Sequence, residues 1–289
     1  MIKYYGLKNI AFMAFIPAVL YSCRKDAGVN SNTPETVSAL SAQQQSASAA
    51  SRAGYQLVWA DEFDGGLDST KWTVSTGNLN IRHELQAYAR ANVNVRNGFL
   101  SLLAEKKTTD GQAFTSGKIT TADKFTTRYG RIEARIKLPA VPGLAAEFSL
   151  LGLSPAGWAP ESGEIDVMQH INRDNRVLGG IQWENSGHAI YRGNSPDGYY
   201  FDYHVYAVEW DPQEIRWYVD GKQYFKANIT DGVNSTEEFH KPFYINLNLA
   251  VGGDLAGMTV DRNLPTSMVV DYVRVYTLSP SASRNHITA

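Results

Sequence analysis

The sequence predicts an all-β protein built from two stacked antiparallel sheets. Residues 129–138 alternate polar and apolar side chains, which is the period of a strand with one buried face. Residues 215–225 hold two short strand-like runs on either side of Asp220 and Gly221, a pair typical of a type I′ hairpin turn. Residues 268–276 are rich in β-branched and aromatic residues. Short strands separated by turn residues, without a long segment of helical period, indicate a sandwich.

The first 22 of the 289 residues have the composition of a secretory signal peptide. Lys3 precedes a mostly apolar stretch at 9–20, which is too short and wrongly flanked for a membrane-spanning helix. Cys23, the sole cysteine, follows Ser22 in a sequence that resembles the bacterial lipobox, where the cysteine is lipidated after cleavage. We therefore expect an exported lipoprotein, anchored through Cys23 at the outer membrane, in the periplasm or at the cell surface. The alternative is a secretory signal cleaved near Ser22, with Cys23 an incidental thiol.

Composition divides the rest of the chain into three parts. Residues 23–53 hold few bulky apolar side chains, so burial would not offset their conformational entropy, and we expect a flexible tether. Residues 279–289 are similar and are predicted to be a flexible tail. Residues 54–278 suffice for one large β domain. The net charge is −2 and the basic residues are scattered, so we expect no nucleic-acid partner. We also expect a monomer.

Two acidic residues stand out within the segment 163–170. Glu164 and Asp166 are two positions apart, so on a strand both side chains point to the same face. Two acids on one face repel each other and are costly to bury. Taken alone, the pair is more typical of a solvated strand face. The functional alternative is a nucleophilic carboxylate beside an acid that hydrogen-bonds it.

The surrounding motifs favour the functional interpretation. The sequence from Glu164 to Gln169 resembles the catalytic motif of glycoside hydrolase family 16, the laminarinase-like retaining endo-β-glucanases. Further motifs in the order expected of that family cover nearly all of 55–277; they lie at 59–64, 71–72, 84–88, 92–98, 129–135, 204–210, 216–221, 248–253 and 270–276. The resemblance implies a concanavalin A-like β-jelly roll with a concave glycan cleft. It also implies retaining hydrolysis of the O-glycosidic bonds of a β-glucan-type polysaccharide, with no cofactor for catalysis.

The resemblance assigns a role to each residue of the motif. Glu164 would be the nucleophile and Asp166 its hydrogen-bonding partner. The third position, where the family has a glutamate that serves as general acid and base, is Gln169, and a β-bulge would bring it to the same face. A glutamine amide cannot deliver a proton or activate water, so hydrolysis would be impaired. A non-catalytic glycan-binding protein of the same fold is the alternative function.

Three side chains could replace the missing acid. If the bulge is absent, His170 shares the face of Glu164 and could donate a proton. Glu147 and Glu161 are acidic where the family has neutral residues, and either could reach into the cleft. The alternative is that His170 packs or hydrogen-bonds locally and that both glutamates are solvated.

Other cleft positions also depart from the family pattern. Ala145 and Ser149 stand where the family has sugar-stacking tryptophans, and Gln182 replaces the usual histidine beside Trp183. Because the core strands match while the cleft positions change together, we interpret the chain as a natural relative with an altered cleft rather than an engineered knock-out. The predicted substrate-binding residues are Trp158, Gln182, Trp183 and His170.

Many members of the family bind a structural calcium ion on the convex side of the sandwich. The matching positions in this chain are Glu62, the backbone of Gly98, and Asp271. Oxygen ligands of this kind suit Ca²⁺. The resemblance therefore implies that a structural calcium could bind there.

Overall fold

A computed structural model of the protein describes residues 51–52, 54–153, 160–230, 235–258 and 264–279. All of them belong to one compact unit that runs from Gln45 to Ala289. The predicted signal peptide, Cys23 and Trp158 lie outside the described residues, as do nearly all of the tether and tail. Within the described ranges, no helix combines the length and the apolar character needed to cross a membrane.

Strands dominate the described part of the chain. In chain order they are β1 (Ser51–Arg52), β2 (Tyr55–Asp61), β3 (Thr73–Val74), β4 (Gln86–Tyr88), β5 (Val93–Arg96), β6 (Phe99–Ala104), β7 (Phe114–Ser116), β8 (Lys118–Thr120), β9 (Gly130–Lys137), β10 (Leu144–Gly152), β11 (Glu164–Ile171), β12 (Leu178–Glu184), β13 (His188–Asn194), β14 (Tyr203–Trp210), β15 (Glu214–Val219), β16 (Lys222–Asn228), β17 (Phe243–Val251) and β18 (Thr266–Leu278). One short α-helix, α1 (Gly253–Ala256), and 3₁₀ turns at Arg90–Asn92, Pro160–Ser162 and Glu237–His240 complete the described elements.

The strands form two large antiparallel sheets. In one, the order is β1-β2-β18-β9-β14-β15-β16, with β6 also pairing with β18, and β5 with β6. In the other, the order is β13-β12-β11-β10-β17-β8-β3. Strands β4 and β7 form a separate two-stranded parallel sheet. Side chains from both large sheets meet in one hydrophobic core, including Phe148, Ile165, Ile132, Trp217 and Val273. The predicted two-sheet sandwich is confirmed.

The predicted hairpin is also confirmed. Strands β15 and β16 pair antiparallel, and Asp220 and Gly221 form the two-residue turn between them. Both turn residues have positive φ angles, 49° and 76°, as a type I′ turn requires. At the start of the described residues, Ser51–Arg52 pairs with Tyr55 and Gln56. Regular structure thus begins within the last residues of the predicted tether.

Strand β10 shows how the seven-stranded sheet separates its two faces. Phe148 and Leu150 point into the core between the sheets. Glu147 and Ser149 alternate with them and therefore point to the opposite face. All nine residues of β10 are nevertheless buried, so chain from elsewhere covers the outer face as well. That outer face of β10 and its neighbour β11 carries the candidate site.

Candidate active site

A β-bulge in β11 places Gln169 on the same face as Glu164 and Asp166. In the pairing with β10, Asp166 lies opposite Ser149, whereas Gln169 lies opposite Glu147, so three steps along β11 match two along β10. Directly opposed residues of antiparallel strands share a face. The extra residue therefore turns the end of β11 so that Glu147 and Gln169 join the acidic pair on the outer face. The bulge implied by the resemblance is present.

The nine-stranded sheet holds this bulge in place. The indole Nε1 of Trp217, which is fully buried, donates a 2.7 Å hydrogen bond to the backbone carbonyl of Asp166. Gly179 makes room for the indole, because a Cβ atom at that position would lie 2.4 Å from the Trp217 ring. The backbone beneath the acidic residues is thus fixed by the core.

Three buried carboxyl groups cluster on the outer face. Glu147, Glu164 and Asp166 are only 8%, 3% and 1% exposed, and one oxygen of each lies within 4.8 Å of the others. Glu147 and Glu164 hydrogen-bond each other through their carboxyl groups. Such a contact requires a proton between them, because two ionised carboxylates offer no donor.

Polar side chains from β12, β13 and the loop before β4 surround the carboxyl groups. The amide nitrogen of Gln182 donates to Oε2 of Glu164 and to Oδ2 of Asp166, each at 3.0 Å. Arg192 donates to the same oxygen of Asp166 at 3.4 Å. Arg82 lies 3.7 Å from Oε2 of Glu164 and 3.5 Å from the amide oxygen of Gln182. These contacts fix the orientation of both acids of β11.

The protonation of the cluster follows from burial and mutual repulsion. Burial, followed by the charges of Asp166 and Glu147, raises the pKa of Glu164 well above its usual range. Burial and Glu147 raise the pKa of Asp166 to about 6, although Arg192 and Arg82 oppose the shift. Burial also acts to raise the pKa of Glu147, but the hydrogen bond from Glu164 and the charge of Arg82 lower it overall. The opposite shifts of the Glu147 and Glu164 pKa values follow from the hydrogen bond that the two carboxyl groups share.

A pocket opens above this part of the sheet. Its described walls include Glu147, Glu164, Arg82, Lys118 and Asn248, but not Gln169. The Gln169 side chain is 1% exposed, and neither its amide oxygen nor its nitrogen has a hydrogen-bond partner in the described structure. Glu147, Glu164 and Glu84 are the acidic residues that line the pocket.

Comparison with known proteins shows the family. The family model for glycosyl hydrolases family 16 matches residues 68–274. The chain belongs to this family. It is 37% identical to a beta-glucanase of Rhodothermus marinus over 245 residues, which cover 77% of this chain and 85% of that protein. The resemblance seen in the motifs is therefore confirmed.

Two further comparisons concern the fold and the share of a relative's length that this chain covers. The structure of an endo-beta-1,3-glucanase from Pyrococcus furiosus matches with a TM-score of 0.69 and 34% identity, covering 78% of this chain and 95% of that one. The clotting factor G alpha subunit of Tachypleus tridentatus is 39% identical over 232 residues, 77% of this chain. The family 16 chain spans only 34% of that subunit. The expected jelly-roll fold is confirmed.

Two of the predicted substrate-binding residues point away from the outer face. Trp183 follows Gln182 on β12, so it faces the core, where it is 7% exposed and packs edge-on against Phe239. His170 follows Gln169 beyond the bulge, is 1% exposed, and donates from Nε2 to the carbonyl of Asp174 at 2.8 Å. Burial lowers the pKa of His170. The expectation that Trp183 and His170 contact substrate is wrong, because strand alternation directs both side chains into the sandwich.

The other candidate side chains have different positions. Gln182 does lie on the outer face, but its amide is engaged by Glu164 and Asp166, so it positions the acids. Glu161 lies in the 3₁₀ turn before β11 and is exposed. Of the proposed substitutes for the family glutamate, Glu147 is the one that the structure places beside Glu164.

The donor set predicted for calcium does not fit the ion. Glu62 accepts two hydrogen bonds of 2.8 Å from Arg274, and Asp271 is paired with Arg135. An arginine therefore occupies the place of the cation at each carboxylate. Among the residues that the structure describes, the group of acids whose spacing could admit a metal ion is Glu147, Glu164 and Asp166, where Arg82 and Arg192 already supply positive charge.

Sequence reasoning missed several polar residues around the site, namely Arg82, Lys118, Asn246 and Asn248. Asn246 and Asn248 lie two positions apart on β17, whose other residues are almost all apolar. A buried amide needs hydrogen-bond partners, so two of them on one face of an apolar strand are a signal of a polar site. Arg82 has no comparable signal, because it comes from a loop whose backbone bends at Arg82 and His83 with positive φ angles.

Proposed function

We propose that this protein is a retaining endo-β-glucanase in which Glu164 is the nucleophile. The observation that carries the proposal is the Glu164 carboxyl group, which borders the pocket while contacts to Gln182 and Arg82 orient it. The β-glucanase and endo-β-1,3-glucanase relatives support a β-linked glucan as the substrate class.

In the first step, a carboxylate oxygen of Glu164 attacks the anomeric carbon, and the bond from that carbon to the leaving oxygen breaks. A glycosyl ester forms on Glu164, and water cleaves it in the second step, which restores the original anomeric configuration. Asp166 acts beside the reacting carboxylate, held by Gln182 and Arg192. The leaving oxygen needs a proton, and the amide of Gln169 has none to give.

The test is to incubate the full chain with laminarin and with mixed-linkage β-glucan, measuring binding and the release of reducing ends. We expect the wild type to bind and to release reducing ends, and Glu164→Gln to bind without release. Binding by the wild type without any release would favour the second candidate, a glycan-binding protein that has lost turnover. The unusual Gln169 is the observation behind that alternative.

We also propose that the protein is exported and anchored to a membrane through a lipid on Cys23. The support is the signal-like composition of residues 1–22 and the lipobox-like sequence that ends at Cys23. Expression with a radiolabelled fatty acid tests this. Label should be incorporated into the wild type and absent from Cys23→Ala, which should also leave the membrane fraction.

A further inference from the structure

We propose that Glu147 is the general acid and base of this active site, in place of the glutamate that the family carries at position 169. The inference rests on the proposed hydrolase function and names the residue that handles its proton.

Glu147 occupies the position nearest to the missing carboxyl group. It is the direct cross-strand partner of Gln169, so both side chains rise from adjacent points on the same face of the sheet. Moving an acid from β11 to the facing residue of β10 keeps it beside Glu164. One carboxyl oxygen of Glu147 lies within 4.8 Å of one of Glu164, which is short of the ~6.5–9.5 Å separation of inverting enzymes.

The pocket favours Glu147 over Gln169 as the group that meets substrate. Glu147 and Glu164 both contribute to the pocket wall. The amide of Gln169 lies beneath that surface, 1% exposed. A glycosidic oxygen beside Glu164 in the pocket would therefore meet the carboxyl group of Glu147 before the amide of Gln169.

A chain of hydrogen bonds orients Glu147 from the side of β17. The ammonium group of Lys118 donates to Oδ1 of Asn246 at 2.6 Å, and Nδ2 of Asn246 donates to Oδ1 of Asn248 at 2.7 Å. Asn248 in turn hydrogen-bonds Glu147. The amide oxygens of Asn246 and Asn248 each already accept a hydrogen bond. Asn248 therefore has its NH₂ group available for Glu147. Lys118, Asn246 and Asn248 thus form a series of hydrogen-bond donors that ends at the carboxyl group of Glu147. A side chain that only packed against apolar neighbours would need no such donors.

The proton for catalysis is already present between the two carboxyl groups. Burial and the charges of Asp166 and Glu147 raise the pKa of Glu164 and so favour its protonated form. Transfer along the existing Glu147–Glu164 hydrogen bond gives the reactive form, with Glu164 ionised and Glu147 protonated. Gln182 favours this form, because its amide donates a hydrogen bond to Oε2 of Glu164.

The two steps balance with Glu147 in this role. In the first, Glu164 bonds to the anomeric carbon, the glycosidic C–O bond breaks, and the leaving oxygen takes the proton of Glu147. In the second, the Glu147 carboxylate takes a proton from water while the water oxygen attacks the anomeric carbon. The ester bond to Glu164 then breaks, Glu164 regains its charge, and Glu147 is protonated again.

The decisive measurement compares leaving groups in Glu147→Gln and Glu147→Ala. General acid catalysis is worth roughly 10²–10⁴ in rate, so Glu147→Gln should lose about that factor on laminarin. A 2,4-dinitrophenyl β-laminaribioside needs no acid for its first step, so formation of the glycosyl ester, seen as a burst of dinitrophenolate, should persist. Added azide should accelerate turnover of Glu147→Ala and give a β-glycosyl azide, detected by mass spectrometry. If Glu147 had only a structural role, its replacement would lower the rates on both substrates by similar factors.

A double variant tests whether a loss of activity in Glu147→Gln comes from misfolding. Glu147→Gln combined with Gln169→Glu keeps the number of acids and moves one back to β11, and it should recover at least tenfold over Glu147→Gln alone. Glu161→Gln, which neutralises an exposed acid, should keep the wild-type rate, and thermal unfolding of every variant reports on the fold.

The outcomes separate this inference from the proposed function. An active wild type whose Glu147→Gln variant is equally active overturns the role of Glu147 and leaves Glu164 and the hydrolase function intact. Equal losses with both leaving groups, without azide product, overturn it as well. A wild type that binds glucan but releases nothing, together with an active Gln169→Glu variant, overturns both.

Discussion

The side-chain nitrogen of Gln182 lies 3.0 Å from Oε2 of Glu164, and the second hydrogen of the same amide serves Asp166 at the same distance. One NH₂ group therefore sets the spacing of two acids on the neighbouring strand. Its amide oxygen faces Arg82 and His188, at 3.5 and 3.2 Å, so the orientation of the amide is fixed.

Replacing Gln182 by Met removes both donors while keeping an unbranched side chain of similar length. We expect kcat on laminarin to fall by about tenfold or more, since a hydrogen bond to a charged group is worth roughly 1.5–3 kcal/mol. KM should change little, because the lost contacts are to Glu164 and Asp166. Steady-state kinetics check this, with Gln56→Met on the exposed side of β2 as the control. An unchanged kcat in Gln182→Met would contradict the positioning role.

The raised pKa of Asp166 predicts that the protein loses stability as the pH rises. Its pKa is raised from 3.8 to about 6, so the folded protein binds a proton that the unfolded chain releases. That contribution is fully present below about pH 4 and is lost as the pH rises through about 6. At about 1.4 kcal/mol per pKa unit, the loss attributable to Asp166 is at most about 3 kcal/mol. Glu164, whose pKa is also raised, acts in the same direction.

Urea unfolding of Asp166→Asn and of the wild type at pH 4.5 and 7.5 measures this effect. The free energy of unfolding should fall less between the two pH values in the variant. Asp110→Asn, in an exposed turn, should keep the wild-type difference. Equal differences in all three proteins would show that Asp166 carries no such linkage.

The hydrogen bond from Trp217 to the bulge predicts a variant that is both less stable and less active. Trp217→Phe leaves the buried carbonyl of Asp166 without its donor, which should lower the free energy of unfolding by about 1–3 kcal/mol. Because that carbonyl lies at the bulge, kcat should fall as the acids shift. Trp210→Phe is the matched control, since this buried indole donates to the carbonyl of Phe239 at 3.0 Å. It should lose stability but keep its rate, and equal losses of kcat would refute the role of Trp217.

Much of the fold follows from local rules. Asp220 and Gly221 specify the β15–β16 turn because both must take positive φ, and the alternation in residues 129–138 yields β9 at Gly130–Lys137. Which strands become neighbours does not follow from these rules. The pairing of β10 with β17, and of β18 with both β2 and β9, joins segments far apart in sequence through contacts that no local pattern records.

The site was predictable in part. Alternation put Glu164 and Asp166 on one face, but a strict period of two would have put His170 there and Gln169 opposite. The bulge reverses this, and it depends on Trp217 and Gly179, which lie on other strands. The same limit explains Trp183, whose core position follows from the register of β12 against β11. The neighbourhood of Glu147 depends on Asn248 and Lys118, brought together by the pairing of β17 with β8 and β10.

The long last strand, β18, has a mechanical consequence. Its final residue, Leu278, is the cross-strand partner of Tyr55 at the start of β2, so the two ends of the β domain leave side by side. A force that separates these ends loads the β2–β18 hydrogen bonds one after another, as a zipper opens, instead of shearing them together. A linker of a few residues could also join Leu278 to Tyr55, so that circular permutation would move the chain ends without disturbing β11.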